Sequence, residues 1–169
     1  MAFDFNVDEI FVVAEGIEKN GSDFYKRMSE EISDSAVSSM LLNLSEMEKA
    51  HEKVFSAMRK QLTDHERATT VFDPENETVL YLQAMAGLHV FDDTAGQDFV
   101  LSPELTGDAK IRKILRQAVE FEWKSISYYV GMKDFVPEHL GRNRIDEIIK
   151  EEMRHVTLLS RNLESLKKR

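Results

Sequence analysis

Four glutamates and two histidines stand in this sequence where an amphipathic helix would place apolar core residues. Glu48 and His51 fill a gap in the stripe Val37, Met40, Leu41, Leu44, Met47, Phe55, Met58 and Leu62. Glu152 and His155 fill the same gap between Ile145, Ile148, Ile149 and Leu159, Leu163. Glu18 lies in line with Ile10, Phe11, Ala14, Ile17, Gly21, Phe24, Tyr25 and Met28, and Glu122 with Ile111, Ile114, Leu115, Ala118, Ile126, Tyr129 and Met132. Residues three apart turn through about 300° of a helix, so the Glu and His of each Glu-x-x-His share a face and converge. Carboxylate and imidazole together are donors for a divalent transition metal. An isolated buried carboxylate costs several kcal/mol or more to desolvate. Two divalent cations would cancel four such charges.

The six residues obey one offset. A shift of 104 residues carries Glu18 to Glu122, Glu48 to Glu152 and His51 to His155, and also Ala14 to Ala118 and Tyr25 to Tyr129. The chain therefore reads as two helical hairpins of one pattern, each with a Glu on its first helix and a Glu-x-x-His on its second. The midpoint of Glu18 and Glu48 is Ser33, and that of Glu122 and Glu152 is Pro137, both in turn-like sequence. In each hairpin the chain reverses where the two glutamates come level, roughly 22 Å from the turn at 1.5 Å per residue. One Glu-x-x-His on a Glu-rich helix means little; two in register with partner glutamates specify a site.

The positioning elements follow from low Gly and Pro counts, 7 and 3, and apolar residues at three- and four-residue spacing. Four long helices are expected, over about 7–32, 35–62, 108–132 with Asp108 as N-cap, and 142 to the C-terminus. The interval of about 63–107 is too long for a turn and must be a crossover. Within it, Asp73-Pro74-Glu75 predicts a cap with Pro in the first turn of a shorter helix, whose stripe is Leu80, Tyr81, Ala84, Met85, Leu88 and Phe91. Residues 92–108 are expected to be loop. The fold class is all-α, a four-helix bundle of two antiparallel hairpins (about 7–62 and 108–168) in a single domain over 1–169.

Composition sets outer limits. With 169 residues and 42% hydrophobic content the chain suits one core. It has no cysteine, which excludes disulfides, thiolate metal sites and thiol nucleophiles and fits a reducing cytoplasm. A net charge of −9 argues against nucleic acid or an anionic membrane as partner. The N-terminal stretch lacks a signal-peptide pattern and no apolar run reaches membrane-spanning length, so a soluble cytoplasmic protein is expected.

Two Glu and two Glu-x-x-His from four helices form the ligand pattern of di-iron and di-manganese carboxylate bundles. The stretches AEGIEKNGSDFY (14–25), EKAH (48–51), AVEFEWKSISYY (118–129) and EMRH (152–155) resemble the rubrerythrin branch of the ferritin-like superfamily. The resemblance implies two iron ions (manganese or zinc also fit), with Glu48 and Glu152 bridging, Glu18 and Glu122 terminal, and His51 and His155 each on one metal. It implies reduction of a small-molecule oxidant, hydrogen peroxide or dioxygen, and a homodimer. Two departures stand out. There is no Cys-rich rubredoxin domain, so an external electron-donor protein is expected. The position where rubrerythrins carry a further metal-binding Glu is Ser125, which brings the set closer to a bacterioferritin-like site.

Tyr25 and Tyr129, two turns after their glutamates, are either core aromatics or donors to the ligand carboxylates. Gly21 and its repeat mate Ser125 are both small, and are expected to leave room over the metals for the oxidant. Trp123 is read as helix packing, and His65, His89 and His139 as surface or packing residues. Two other functions are open to the same residues: a ferroxidase or iron-storage protein, and a helical interaction module with a structural metal site.

Overall fold

The computed structural model describes residues 6–87 and 99–168, which form six α-helices and no strand. They are α1 (Val7–Glu30), α2 (Ser35–Lys60), α3 (Asp64–Ala68), α4 (Glu77–Gly87), α5 (Gly107–Met132) and α6 (Arg142–Leu166). None among the described residues is long and apolar enough to cross a membrane.

Helix boundaries follow local chemistry. Asn6 opens α1 through a capping box with Glu9. The Asp34 carboxylate accepts from the Ala36 and Val37 N–H groups at the start of α2, both at 3.1 Å. Gly141, with φ 84°, supplies the left-handed residue from which α6 begins. The N-cap of α5 is Thr106, and the expected cap Asp108 lies instead in the first turn, where its charge complements the helix dipole.

Long helices α1 and α2 form one antiparallel hairpin, and α5 and α6 the other. The first reverses over residues 31–34 and the second over 133–141 through two 3₁₀ turns, so Ser33 and Pro137 both lie within the reversals. Packing divides the interior into two apolar clusters. One contains Ile10, Phe11, Ala14, Ile17, Phe55, Met58, Tyr128, Tyr129, Ile145 and Ile148. The other contains Phe24, Tyr25, Met28, Leu41, Leu44, Ile114, Leu115, Ala118 and Leu159. On every long helix the Glu or Glu-x-x-His falls where one cluster gives way to the other. The bundle is thus two oily segments separated by one ionisable layer.

The described parts of the crossover touch both apolar clusters. Near the first cluster, Arg67 on α3 pairs with Asp8 of α1, and Arg59 pairs with Asp8 at 3.0 Å. Asp73 caps α4 at longer range than expected. Its Oδ2 accepts from Thr78 N at 2.9 Å and Val79 N at 3.0 Å, while Pro74 and Glu75 form a turn that ends at Asn76 with φ 56°. Asn tolerates that left-handed geometry. Pro74 therefore precedes the helix. The predicted face of α4 is also corrected: Val79 and Leu82 are buried, whereas Leu80 is 61% exposed and Tyr81 38%. Seen alone, α4 is apolar nearly all round, and what selects Val79 and Leu82 is α5. A Cβ on Gly131 of α5 would come 3.2 Å from Leu82 Cδ2, so the glycine admits α4, and Tyr81 bonds to Ser127. Leu88 and Phe91 lie outside the described residues. At the far end, the Phe99 ring meets Phe24 edge-on at 5.6 Å, which returns the chain to the second cluster, and 99–106 are non-helical as expected. On α2, Met47 lies on the outer side at 38% exposure and not in the core stripe.

Candidate metal centre

The ionisable layer brings together all six residues singled out from the repeat. Glu18, Glu48, His51, Glu122, Glu152 and His155 are all buried. Their donor atoms form two overlapping groups, Glu18, Glu48, His51 and Glu152 on one side and Glu48, Glu122, Glu152 and His155 on the other, with the atoms of each group within 4.8 Å of one another. Glu48 and Glu152 belong to both. The two imidazole rings lie 6.0 Å apart with 21° between their planes.

Both histidines aim Nδ1 inward. His51 Nδ1 lies 2.9 Å from Glu152 Oε1 and 3.5 Å from Glu18 Oε2. His155 Nδ1 lies 2.9 Å from Glu152 Oε2, 3.3 Å from Glu48 Oε1 and 3.5 Å from Glu122 Oε1. These approaches are close but miss hydrogen-bond directionality. Glu18 Oε2, Glu48 Oε1, both Glu152 oxygens and both Nδ1 atoms are buried without a hydrogen-bond partner. A native interior rarely leaves one such atom unsatisfied, let alone a convergent set of them. A donor set of oxygen and nitrogen with inward lone pairs and no mutual hydrogen bonds fits a pair of divalent cations.

Protonation in the metal-free cluster follows from burial. Burial, then the neighbouring Glu48 and Glu152 charges, pushes Glu18 and Glu122 well above the usual carboxyl range. Burial opposes charge on Glu48 too, but the close approach of the His155 and His51 imidazoles outweighs it and holds that carboxyl low. Glu152 is held low in the same way, against burial and the Glu48 charge. Burial disfavours the imidazolium forms, yet the surrounding carboxylates prevail, raising His51 strongly and pushing His155 up to about 12. Raised acids at Glu18 and Glu122 and raised imidazoles at His51 and His155 both act to reduce the net negative charge of the metal-free layer.

Tyr25 and Tyr129 both reach the centre, and they cross between hairpins: Tyr25 donates to Glu122 and Tyr129 to Glu18. Both are core aromatics and carboxylate donors at once. Substituting either by Phe removes the bond that orients the opposite hairpin's glutamate. Y25F and Y129F are expected to fold normally and lose roughly tenfold in metal affinity, read by competition with a chromophoric chelator.

Gly21 sits against the site, where an added Cβ would lie 3.5 Å from Glu48 Cγ, an ordinary contact. Its space is therefore partly occupied by the Glu48 stem. Ser125 turns its hydroxyl to the Phe121 carbonyl at 3.0 Å. Trp123 is 60% exposed and does not pack between helices. His65 and His139 are on the surface, and His89 lies outside the described residues.

One participant was not legible in the pattern. Glu151 Oε2 lies 2.7 Å from His51 Nε2, the ring nitrogen facing away from the cluster. The doubled Glu151-Glu152 was the available signal, but Glu151 has no repeat mate, since the equivalent position is Met47.

The sequence matches the rubrerythrin family over residues 9–127. Among solved structures, the chain superposes with a TM-score of 0.68 on a Thermotoga maritima protein described as ferritin-like and diiron-carboxylate. The two are 21% identical, and the likeness covers 95% of each chain. No curated protein matches the sequence.

Proposed function

Because the chain belongs to the rubrerythrin family, we propose that it is a non-haem di-iron oxidoreductase that reduces hydrogen peroxide, or dioxygen, using electrons from an external donor protein. The observation that carries this reading is the pair of donor groups sharing Glu48 and Glu152. Glu48 and Glu152 would be shared between the two metal positions, Glu18 and Glu122 would each serve one, and His51 and His155 would each complete one position through Nδ1. Iron, when bound, supplies two electrons to peroxide, which with two protons becomes two waters.

The chain's own work is positioning and proton control. Tyr25 and Tyr129 hold the terminal carboxylates in fixed orientation, and each hydroxyl places a proton beside the centre. The two apolar clusters exclude bulk water above and below the layer. With no cysteine among the 169 residues, thiolate-bound iron cannot relay electrons within the chain, which is why the donor is placed outside it.

A second reading, ferroxidase, is favoured by Ser125, which offers a hydroxyl bonded to its own helix where a further carboxylate would extend the ligand set. The two readings separate on one experiment. Protein loaded anaerobically with two Fe(II) per chain is mixed with peroxide or with dioxygen while absorbance is followed. Peroxidase function predicts fast oxidation by peroxide, slow oxidation by dioxygen and a native mass near a dimer. Fast dioxygen reactivity with iron passing into a mineral inside a many-subunit shell would establish ferroxidase instead. Metal that stays redox-inert would leave the structural-site reading.

A further inference from the structure

The two halves of the centre repeat in their six candidate ligands and two tyrosines, but not behind the histidines. His51 presents Nδ1 to the carboxylates and gives Nε2 to Glu151 at 2.7 Å, and the Glu151 side chain is 31% exposed. His155 presents Nδ1 in the same way, yet its Nε2 is buried with no hydrogen-bond partner among the described residues. The offset of 104 places Met47 where Glu151 would have its counterpart.

We propose that Glu151 makes the two metal positions unequal, so that the position completed by His51 fills first and holds its metal more tightly than the position completed by His155. This rests on the di-metal reading and deepens it. A carboxylate accepting from Nε2–H selects the tautomer whose Nδ1 lone pair faces the pocket, restricts ring rotation and raises the basicity of the ligating nitrogen. It also adds negative charge behind one cation only. His155 has none of these supports, since its buried Nε2 has no acceptor to fix the ring among the described residues. Glu151 is a positioning residue, acting through the imidazole and not on the metal or oxidant. Its side chain is 31% exposed, so solvent shares in stabilising that carboxylate.

The test is an anaerobic Co(II) titration of the full chain, followed by visible absorbance. The wild-type protein should bind two equivalents in two steps separated by roughly tenfold or more. Glu151→Ala should weaken the tight step by a similar factor, leave the other unchanged and so merge the two. Glu151→Gln, which keeps an acceptor but not the charge, should recover part of the separation. Met47→Glu gives His155 the mirror-image partner and should narrow the gap from the other side by tightening the weak step. Two equivalents bound without separation in the wild-type protein, or a separation that survives Glu151→Ala, would overturn the inference while leaving the di-metal centre intact. Failure to bind Co(II) at all would remove both.

Discussion

Glu152→Gln is expected to empty both metal positions at once, whereas Glu18→Gln should empty mainly one. Glu152 is buried at the centre, and each of its oxygens lies 2.9 Å from a different imidazole Nδ1. It belongs to both donor groups, while Glu18 belongs to one. Metal analysis after gel filtration should show about two ions per wild-type chain, close to none for Glu152→Gln and about one for Glu18→Gln, following the two-position arrangement. The same pair should separate in metal-free stability, with opposite logic. Glu152 is the counter-ion of two buried imidazoliums, and removing one partner from a buried ion pair costs about 3–5 kcal/mol. Burial pushes Glu18 well above the usual carboxyl range and so favours the neutral acid, with which Gln is close to isosteric. Urea unfolding in the presence of a chelator should show a large drop in midpoint for Glu152→Gln and little change for Glu18→Gln. Equal metal loss in the two variants would contradict the bridging assignment.

Metal loading is expected to release about four protons per chain, because ligands must be deprotonated to bind. Two come from the imidazoliums of His51 and His155, and two from the carboxyls of Glu18 and Glu122. The charge of two divalent ions then takes the place of the four protons. Calorimetry near neutral pH in buffers of different ionisation enthalpy counts these protons directly. The linked stability has a definite sign. A group whose folded pKa is raised contributes stability that is fully present below its unfolded value and is lost as pH rises through the folded value. For His155 the decline runs from 6.5 to about 12, and His51 has the same direction. Glu18 and Glu122 act the same way from 4.5 upward. Glu48 and Glu152, held low, are ionised in both states above that range and add no slope there. Metal-free protein should therefore lose thermal stability as pH rises above 6.5. Metal-loaded protein should lose it as pH falls, because protons then compete for the ligands. A metal-free protein whose Tm rises with pH in that window would show that the imidazoles are not charged in the folded state.

The parts of this architecture that could be read early are those carried by periodicity within one hairpin. Glu18, Glu48 and His51 each interrupt an apolar stripe at helical spacing, and the offset of 104 supplied the second set independently. The helix stripes were clear because each long helix buries one side continuously against its hairpin partner. Short elements gave weaker signals. Helix α4 has apolar residues on nearly every side, so its periodicity points to Leu80 and Tyr81, whereas packing against α5 at Gly131 buries Leu82, with Val79 beside it. Met47 and Trp123 were misplaced for a related reason: a large apolar residue at the edge of a stripe is compatible with either packing or exposure.

Taken by itself, then, the sequence determined the four long helices, the two reversals near Ser33 and Pro137, and the convergence of six ionisable side chains in one mid-bundle layer, because these depend on 3.6-residue periodicity and on a repeat internal to the chain. Only the tertiary structure decided that Tyr25 bonds to Glu122 and Tyr129 to Glu18, that Glu151 supports His51 while His155 goes without, and which side of α4 is buried. Those contacts join residues on different hairpins or on the crossover. Their existence depends on how far one hairpin is shifted and rotated against the other, and no spacing along a single helix encodes that.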